Sequence, residues 1–379
     1  MPRGGEEIPV NPKLVTWART RAGLTIEEAA EKFAHIAAWE AGTSFPTYPQ
    51  LERLADEFKL PVAAFFFPEP PVLPPIRESF RTLPDTEFDE IPRQVRFLLR
   101  KAKALQINLA ELTQGHNPAV RLITRDLAFP DYVPIARMAT RVRDYLDISL
   151  ADQYAWHDDE SALKAWRSTL QASGVFVFKD AFRVEGYSGF SLYDDEFPLI
   201  YVNNSSSKTR QTFTLFHELG HLLFHTSGID TLDDRYIPRL PDRQRRIEIL
   251  CNRFAAEFLV PTAAFEDAMR SRDHSERTAE QLAARFHVSR EVIYRKFLER
   301  DWIDDAEYIR AASIWASQKT GGSGGNWYRT QITYLGREYV ELAFRQYYQN
   351  RIDDEQLAQY LDTKSRNVGT LEEYFSGSQ

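Results

Sequence analysis

The sequence is poor in sulfur, with one cysteine, Cys251, and three methionines in 379 residues. A lone thiol cannot close an internal disulfide, which excludes a disulfide-stapled scaffold and points to a reducing compartment. No apolar run reaches the roughly 18 residues of a membrane span. The opening stretch Met1–Lys13 has no apolar signal core. The expectation is a cytoplasmic protein with no membrane attachment. Positive charge is also in deficit: 47 basic residues against 55 acidic ones give a formal net charge of −8. Proteins that coat nucleic acid gain much of their affinity by neutralising phosphates, and anionic membranes recruit basic segments. The global charge supports neither role.

What is present is ordinary globular material, 43% hydrophobic and 27% charged. At about 100–200 residues per domain the length suggests two or three domains. The first 67 residues read as a small helical unit. Leu14, Trp17 and Ala18 fall at helical spacing, and Thr25 with Glu28 forms a capping box ahead of Ile26–Phe33. Gly42 ends a helix after Trp39-Glu40-Ala41, and Pro49–Phe58 forms another. Pro68-Glu69-Pro70-Pro71-Val72-Leu73-Pro74-Pro75 then reads as an extended linker, because proline fixes φ and removes backbone donors.

Beyond the linker, helical periodicity runs from Phe88 to about Leu112, then over Ala136–Leu146 and Ser161–Ala172. The period then shortens. Gly174-Val175-Phe176-Val177-Phe178, Gly189-Phe190-Ser191-Leu192-Tyr193 and Pro198-Leu199-Ile200-Tyr201-Val202 read as short strands of a small antiparallel sheet. A helix carrying His217-Glu218-Leu219-Gly220-His221 follows, then a polar loop and the helix Arg246–Leu259, stopped by Pro261. The remainder is helical, with a flexible loop at Gly321-Gly322-Ser323-Gly324-Gly325 and a tail, Gly369–Gln379, expected to fray.

The chemistry concentrates in one motif. His217 and His221 stand four residues apart, which on a helix places both rings on one face, one turn apart, able to grip one ion. Glu218 sits beside that ion without having to bind it and can take a proton from water that the ion activates. H-E-x-x-H is short and also arises by chance, so the alternative is a pair of histidines satisfied within an amphipathic helix. Phe213, Leu215, Phe216, Leu219, Leu222, Leu223 and Phe224 make the helix apolar nearly all round, hence buried, and buried histidines need partners.

Zinc takes three protein ligands and leaves a fourth position open in catalytic sites. The residues leave the third ligand open. Glu248 lies at the edge of the apolar stripe Ile247, Leu250, Cys251, Phe254 and Phe258, where a carboxylate can reach inward. Glu257, nine positions on, points about 180° away at 3.6 residues per turn. His225, Asp233, Asp234 and Cys251 are further candidates, read more simply as a helix-end histidine, loop or capping carboxylates, and core filler. A donor for a developing oxyanion could come from Tyr201, Tyr236 or Arg210, and the strand Leu199–Val202 is a candidate sheet edge for an extended peptide.

With these residues in place, the chain resembles the ImmA/IrrE-type zinc metallopeptidases in their long form, with an N-terminal Xre-like helix-turn-helix. The resemblance rests on Thr212-Phe213-Thr214-Leu215-Phe216-His217-Glu218-Leu219-Gly220-His221 and on Glu248-Ile249-Leu250-Cys251-Asn252-Arg253-Phe254-Ala255-Ala256-Glu257-Phe258-Leu259-Val260-Pro261. Weaker matches are Phe80-Arg81-Thr82-Leu83, the strand at Gly174–Phe178, and Tyr328-Arg329-Thr330 to Leu335-Gly336-Arg337. The resemblance implies a zinc ion held by His217, His221 and Glu248, with Glu218 as the catalytic base, a ligand set similar to that of gluzincins. It implies a protein substrate such as a transcriptional repressor or an antitoxin, in a stress-response, mobile-element, toxin–antitoxin or phage-defence setting. A non-proteolytic regulator with structural or sensory zinc is the alternative. The expected fold is α+β and mainly helical. It comprises a shortened helix-turn-helix-like bundle over 1–67, a linker over 68–87, a zincin-like core with a small antiparallel sheet over 88–270, and a helical region over 271–379.

The N-terminal unit departs from the Xre pattern. Between Phe33 and Trp39 only Ala34, His35, Ile36, Ala37 and Ala38 remain, about four residues too few for the turn and the start of a recognition helix, the part that contacts base edges. Seven basic residues face nine acidic ones over 1–67, no footprint for DNA. A docking or dimerisation module is the expectation. A second stretch, Thr278–Phe286 with Val292–Leu298, keeps its turn but reads as a helical hairpin packed on the core.

Overall fold

The computed structural model describes residues 6–58, 60, 62–70, 91–231, 237–238, 240–318 and 325–377. Outside them lie Pro71–Pro75, Phe80-Arg81-Thr82-Leu83, the helix start at Phe88, Asp233, Asp234, Tyr236 and Gly321–Gly324. The described chain forms two compact units, one of residues up to 70 with 91–104, the other of 105–377.

In the first unit, α1 (Pro12–Arg21) starts with Asn11 accepting from the Lys13 amide and Pro12 in its first turn. The expected capping box of Thr25 and Glu28 opens α2, but α2 covers only Ile26–Ala30. α3 (Ile36–Glu40) is equally short and ends at Gly42, whose φ of +68° suits glycine. α4 (Tyr48–Phe58) and a 3₁₀ turn (Val62–Phe66) complete the bundle. Leu51, Leu54, Phe58, Trp39, Ile36 and Phe65 fill its core. α5 (Arg93–Leu112) runs from this unit into the chain of the second.

The second unit is mainly helical around one sheet. α6 (Ile123–Asp126), α7 (Ile135–Leu146), α8 (Leu150–Ala155) and α9 (Asp159–Ala172) precede the strands. The strands are β1 (Phe176–Asp180), β2 (Tyr187–Leu192), β3 (Leu199–Asn203) and β4 (Ile229–Thr231), in the order β1-β3-β2-β4. The sheet is mixed rather than purely antiparallel: β3 pairs antiparallel with β2 but parallel with β1, Phe176 opposite Leu199 and Phe178 opposite Tyr201. β1 and β3 are buried on both faces and therefore apolar almost throughout, the pattern of interior and parallel strands. Because β3 lies between β1 and β2, it is no edge for a peptide; among the described residues the edge strands are β1 and β4.

α10 (Lys208–Leu223) crosses one face of the sheet, over Ile200 and Val202, and packs against α11 (Asp242–Leu259). Phe216 and Phe258 stack at a centroid distance of 4.1 Å, with Trp166 of α9 edge-on at 4.9 Å and 5.3 Å. α12 (Thr262–Met269), α13 (Glu276–Phe286) and α14 (Arg290–Leu298) follow, and Leu282, Phe286, Ile293 and Phe297 join the same core, as expected of a packed hairpin. α15 (Asp305–Ser317) precedes α16 (Trp327–Leu335), α17 (Arg337–Tyr348), α18 (Asp354–Tyr360) and α19 (Ser365–Ser376). Tyr339 of α17 packs edge-on against Phe178, on the sheet face away from α10. The tail expected to fray is helical to Ser376. Leu371 is buried and Tyr328 stacks on Tyr374, and this packing outweighs the cost of Gly369 within the helix. Among the described residues no helix is long and apolar enough to cross a membrane.

Candidate metal centre

α10 begins at Ser207, whose hydroxyl accepts from the Arg210 amide, and its third and fourth turns carry His217, Glu218 and His221. All three are buried, because the helix has the sheet on one side and α11 on the other. Gly220 allows that fit. A Cβ there would stand 3.0 Å from Cys251 Sγ and 3.3 Å from Cys251 Cα, so a larger residue would push α11 away. Glu248, one turn before Cys251, is thereby brought against the histidines.

The resulting triad is tight. Glu248 Oε1 lies 3.3 Å from His221 Nε2, Glu248 Oε2 lies 3.5 Å from His217 Nε2, and the two Nε2 atoms are 3.2 Å apart. Of the described residues, these three form the group of candidate ligand atoms close enough to share one ion, all within 4.8 Å. The far side of each ring is also held. His217 Nδ1 is 3.0 Å from Asn252 Oδ1, and His221 Nδ1 is 3.4 Å from Thr226 Oγ1. An Nδ1–H donated to Asn252 turns Nε2 to the centre of the triad, where a metal that displaces its proton would meet the lone pair.

The electrostatics suit a cation. Burial opposes charge on His217, but Asp230, Glu248 and Glu218 outweigh it and hold the imidazole up, at about 9. Burial likewise opposes charge on Glu248, yet His221 and His217 keep its carboxyl well below the usual range. Glu218 moves the other way: burial pushes it up to about 6, with His221 and His217 pulling back. Two nitrogens and a carboxylate turned inward and backed by hydrogen bonds fit zinc, which takes four-coordinate N/O sets with one position left for water.

Glu218 turns to the sheet. Its Oε2 accepts from the Ser191 hydroxyl at 2.6 Å, whereas Oε1 has no hydrogen-bond partner among the described residues. Gly228, just before β4, lies against the His221 ring, where a Cβ would come within 2.3 Å of Cδ2. The cleft bordered by His221, Thr226, Gly228, Leu240, Gln244 and Glu248 encloses about 10 Å³, room for roughly one water.

The other candidates lie elsewhere. His225 hydrogen-bonds the Thr124 carbonyl and stacks on Tyr193. Glu257 accepts from the Thr262 amide and pairs with Lys296. Cys251 is core, its thiol pushed up by burial. Tyr201 stacks on Phe190 on the sheet face away from α10, so it cannot serve an oxyanion at the triad. Arg210 is engaged by Asp230, with its guanidinium 3.0 and 3.1 Å from the two carboxylate oxygens. Ser191, Asn252, Thr226 and Gly228 escape motif reading because each acts through another residue. Asn252 had one usable signal: it stands four residues after Glu248, on the same helix face.

Residues 170–298, which hold the strands, α10, α11 and the hairpin, match the IrrE N-terminal-like domain, a domain of the metallopeptidase class. The chain is also similar to the radiation response metalloprotease IrrE of Deinococcus deserti, 32% identical over 134 residues, 35% of this chain and 46% of that protein. A second similarity is to the protein of the same name from Deinococcus radiodurans, 33% identical over 98 residues, 26% of this chain and 30% of the other. The chain thus spans less than half the length of either relative. The likeness to the ImmA/IrrE metallopeptidases is thus carried by residues 170–298 and by these two relatives.

Proposed function

We infer that the protein is a zinc-dependent endopeptidase of the HExxH type, gluzincin-like in ligand set, that cuts a protein partner and thereby regulates a response. The observation that carries this reading is the buried triad of His217, His221 and Glu248 with Glu218 beside it. Bound zinc would supply a Lewis acid that polarises a carbonyl and lowers the pKa of water toward neutrality. His217 and His221 hold their tautomers through Asn252 and Thr226, and Glu248 completes the ligand set. Glu218, with a pKa near 6, is placed to accept a proton from water near neutral pH and return it to the leaving amine. β4, as the edge strand beside His221, is where an extended peptide would add by main-chain pairing.

The partner we favour is a repressor, as the sequence resemblance implies; the setting we favour is a stress response, in line with the radiation response in the name of the Deinococcus relatives. An antitoxin or phage-defence partner would use the same chemistry. The narrow cleft favours one other reading, structural or sensory zinc in a non-proteolytic regulator, because it encloses space for no more than about one water. Glu218→Gln separates the two. A peptidase keeps zinc and loses cleavage of the neighbouring gene's product, whereas a structural site keeps its biological function.

The N-terminal unit supports docking or dimerisation rather than DNA reading. Its two central helices have five residues each, and the Arg19 guanidinium is paired with Glu40 at 2.5 Å. A gel shift at low salt with the upstream region should show no sequence-specific complex; a tight specific one would refute this.

A further inference from the structure

Ser191 is a fully buried hydroxyl in a strand whose neighbours Phe190 and Leu192 are core residues. Its Oγ lies 2.6 Å from Glu218 Oε2 and 3.2 Å from the Gly228 amide nitrogen. An amide N–H can only donate, so the hydroxyl accepts there, and its single proton is left for Glu218. The backbone therefore sets the direction of the hydroxyl. The pairing is reinforced by the Ser191 amide donating to the Gly228 carbonyl at 3.0 Å. Gly228 in turn rests on the His221 ring. One serine thus ties the glutamate to a histidine of the triad.

The two oxygens of Glu218 are consequently unequal. Oε2 has a committed donor, whereas Oε1 is buried with no partner among the described residues. The terminal torsion of a glutamate is soft, with no staggered well to fix it, so the hydrogen bond is what sets the plane of the carboxylate.

We propose that Ser191 is a positioning residue that keeps Glu218 Oε2 a permanent acceptor and reserves Oε1 as the oxygen that takes and returns the proton. The proposal rests on Glu218 being the base of a zinc site. With the hydroxyl removed, the carboxylate loses the one hydrogen bond it has among the described residues, turns freely and divides the proton between two oxygens.

The test uses the full chain loaded with zinc and acetohydroxamate, a small acid that binds zinc and gives its proton to an adjacent acceptor. Zinc affinity and acetohydroxamate affinity are measured for wild type, Ser191→Ala, Ser191→Cys and Ser191→Thr. Cysteine preserves the volume with a far weaker donor, and covers the case in which alanine fails to fold. Ser191→Ala and Ser191→Cys should hold zinc within about threefold of wild type. They should bind acetohydroxamate about tenfold or more weakly, the scale of one hydrogen bond to a buried charge. Ser191→Thr should restore binding. In a Glu218→Ala background, removing the Ser191 hydroxyl should have no further effect. Acetohydroxamate binding by Ser191→Ala and Ser191→Cys at wild-type strength overturns the proposal, as does an equal loss in the Glu218→Ala background. Zinc-loaded wild type that binds no acetohydroxamate also overturns it, whereas failure of the underlying reading looks different: wild type takes up no zinc, and the metal site and the role of Ser191 fall together.

Discussion

Substitution of Gly228 by alanine isolates the geometry of the triad from its chemistry, because Gly228 offers no side chain of its own. The added Cβ would stand 2.3 Å from His221 Cδ2, 2.5 Å from Cγ and 2.6 Å from Nε2. Ordinary carbon contacts begin near 3.4 Å, so ring or backbone must move by about 1 Å. The ring cannot give freely, with Thr226 at Nδ1 and Glu248 at Nε2. The backbone can retreat only by breaking the two Gly228–Ser191 hydrogen bonds. Metal sites tolerate about 0.2 Å of ligand displacement. Either route therefore costs zinc affinity by at least the roughly 10–100-fold seen when groups behind a ligand are lost. Competition against a chromogenic chelator measures the affinity, and circular dichroism checks that the helices persist. A Gly228→Ala protein that folds and binds zinc within about threefold of wild type would refute the steric argument.

Three further outcomes follow from the same structure. Lys179 is buried against Gln211, and burial lowers its pKa well below the ordinary 10.5. A base depressed on folding costs stability as pH falls below its unfolded pKa, since only the unfolded chain takes up the proton readily. Lys179→Met should therefore raise the melting temperature at pH 7, with a gain that shrinks as pH approaches 10.5; a pH-independent effect would contradict this. Phe258→Ala, which empties the stack with Phe216 and Trp166, should cost about 3–5 kcal/mol in urea unfolding. Gly220→Ala should weaken zinc binding by moving α11, and with it Glu248, away from the histidines, whereas Leu219→Met should not.

The grouping of the candidate ligands was legible in the residues because its parts are local. Helical spacing puts His217, Glu218 and His221 in register, and the edge of one apolar stripe admits Glu248. The sheet was less so. Strand pairing depends on contacts distant in sequence, and β4, only Ile229–Thr231, is too short to show alternation. The insertion of β3 between β1 and β2 left its signature in the unbroken run Leu199-Ile200-Tyr201-Val202, which an exposed edge would not carry. Ser191 stayed silent because a serine in a strand has no motif; its meaning lies in a helix 27 residues on. The helical tail is not legible in the sequence, because Gly369 lowers local helix propensity and only the packing of Leu371 offsets it.

The most direct test is zinc stoichiometry in four proteins purified alike: wild type, His217→Ala, Glu248→Ala and Glu218→Gln. Wild type and Glu218→Gln should each hold one zinc per chain tightly, and the other two should lose tight binding. Wild type without zinc uptake, or Glu248→Ala holding it as firmly as wild type, would rule out the His217–His221–Glu248 ligand set.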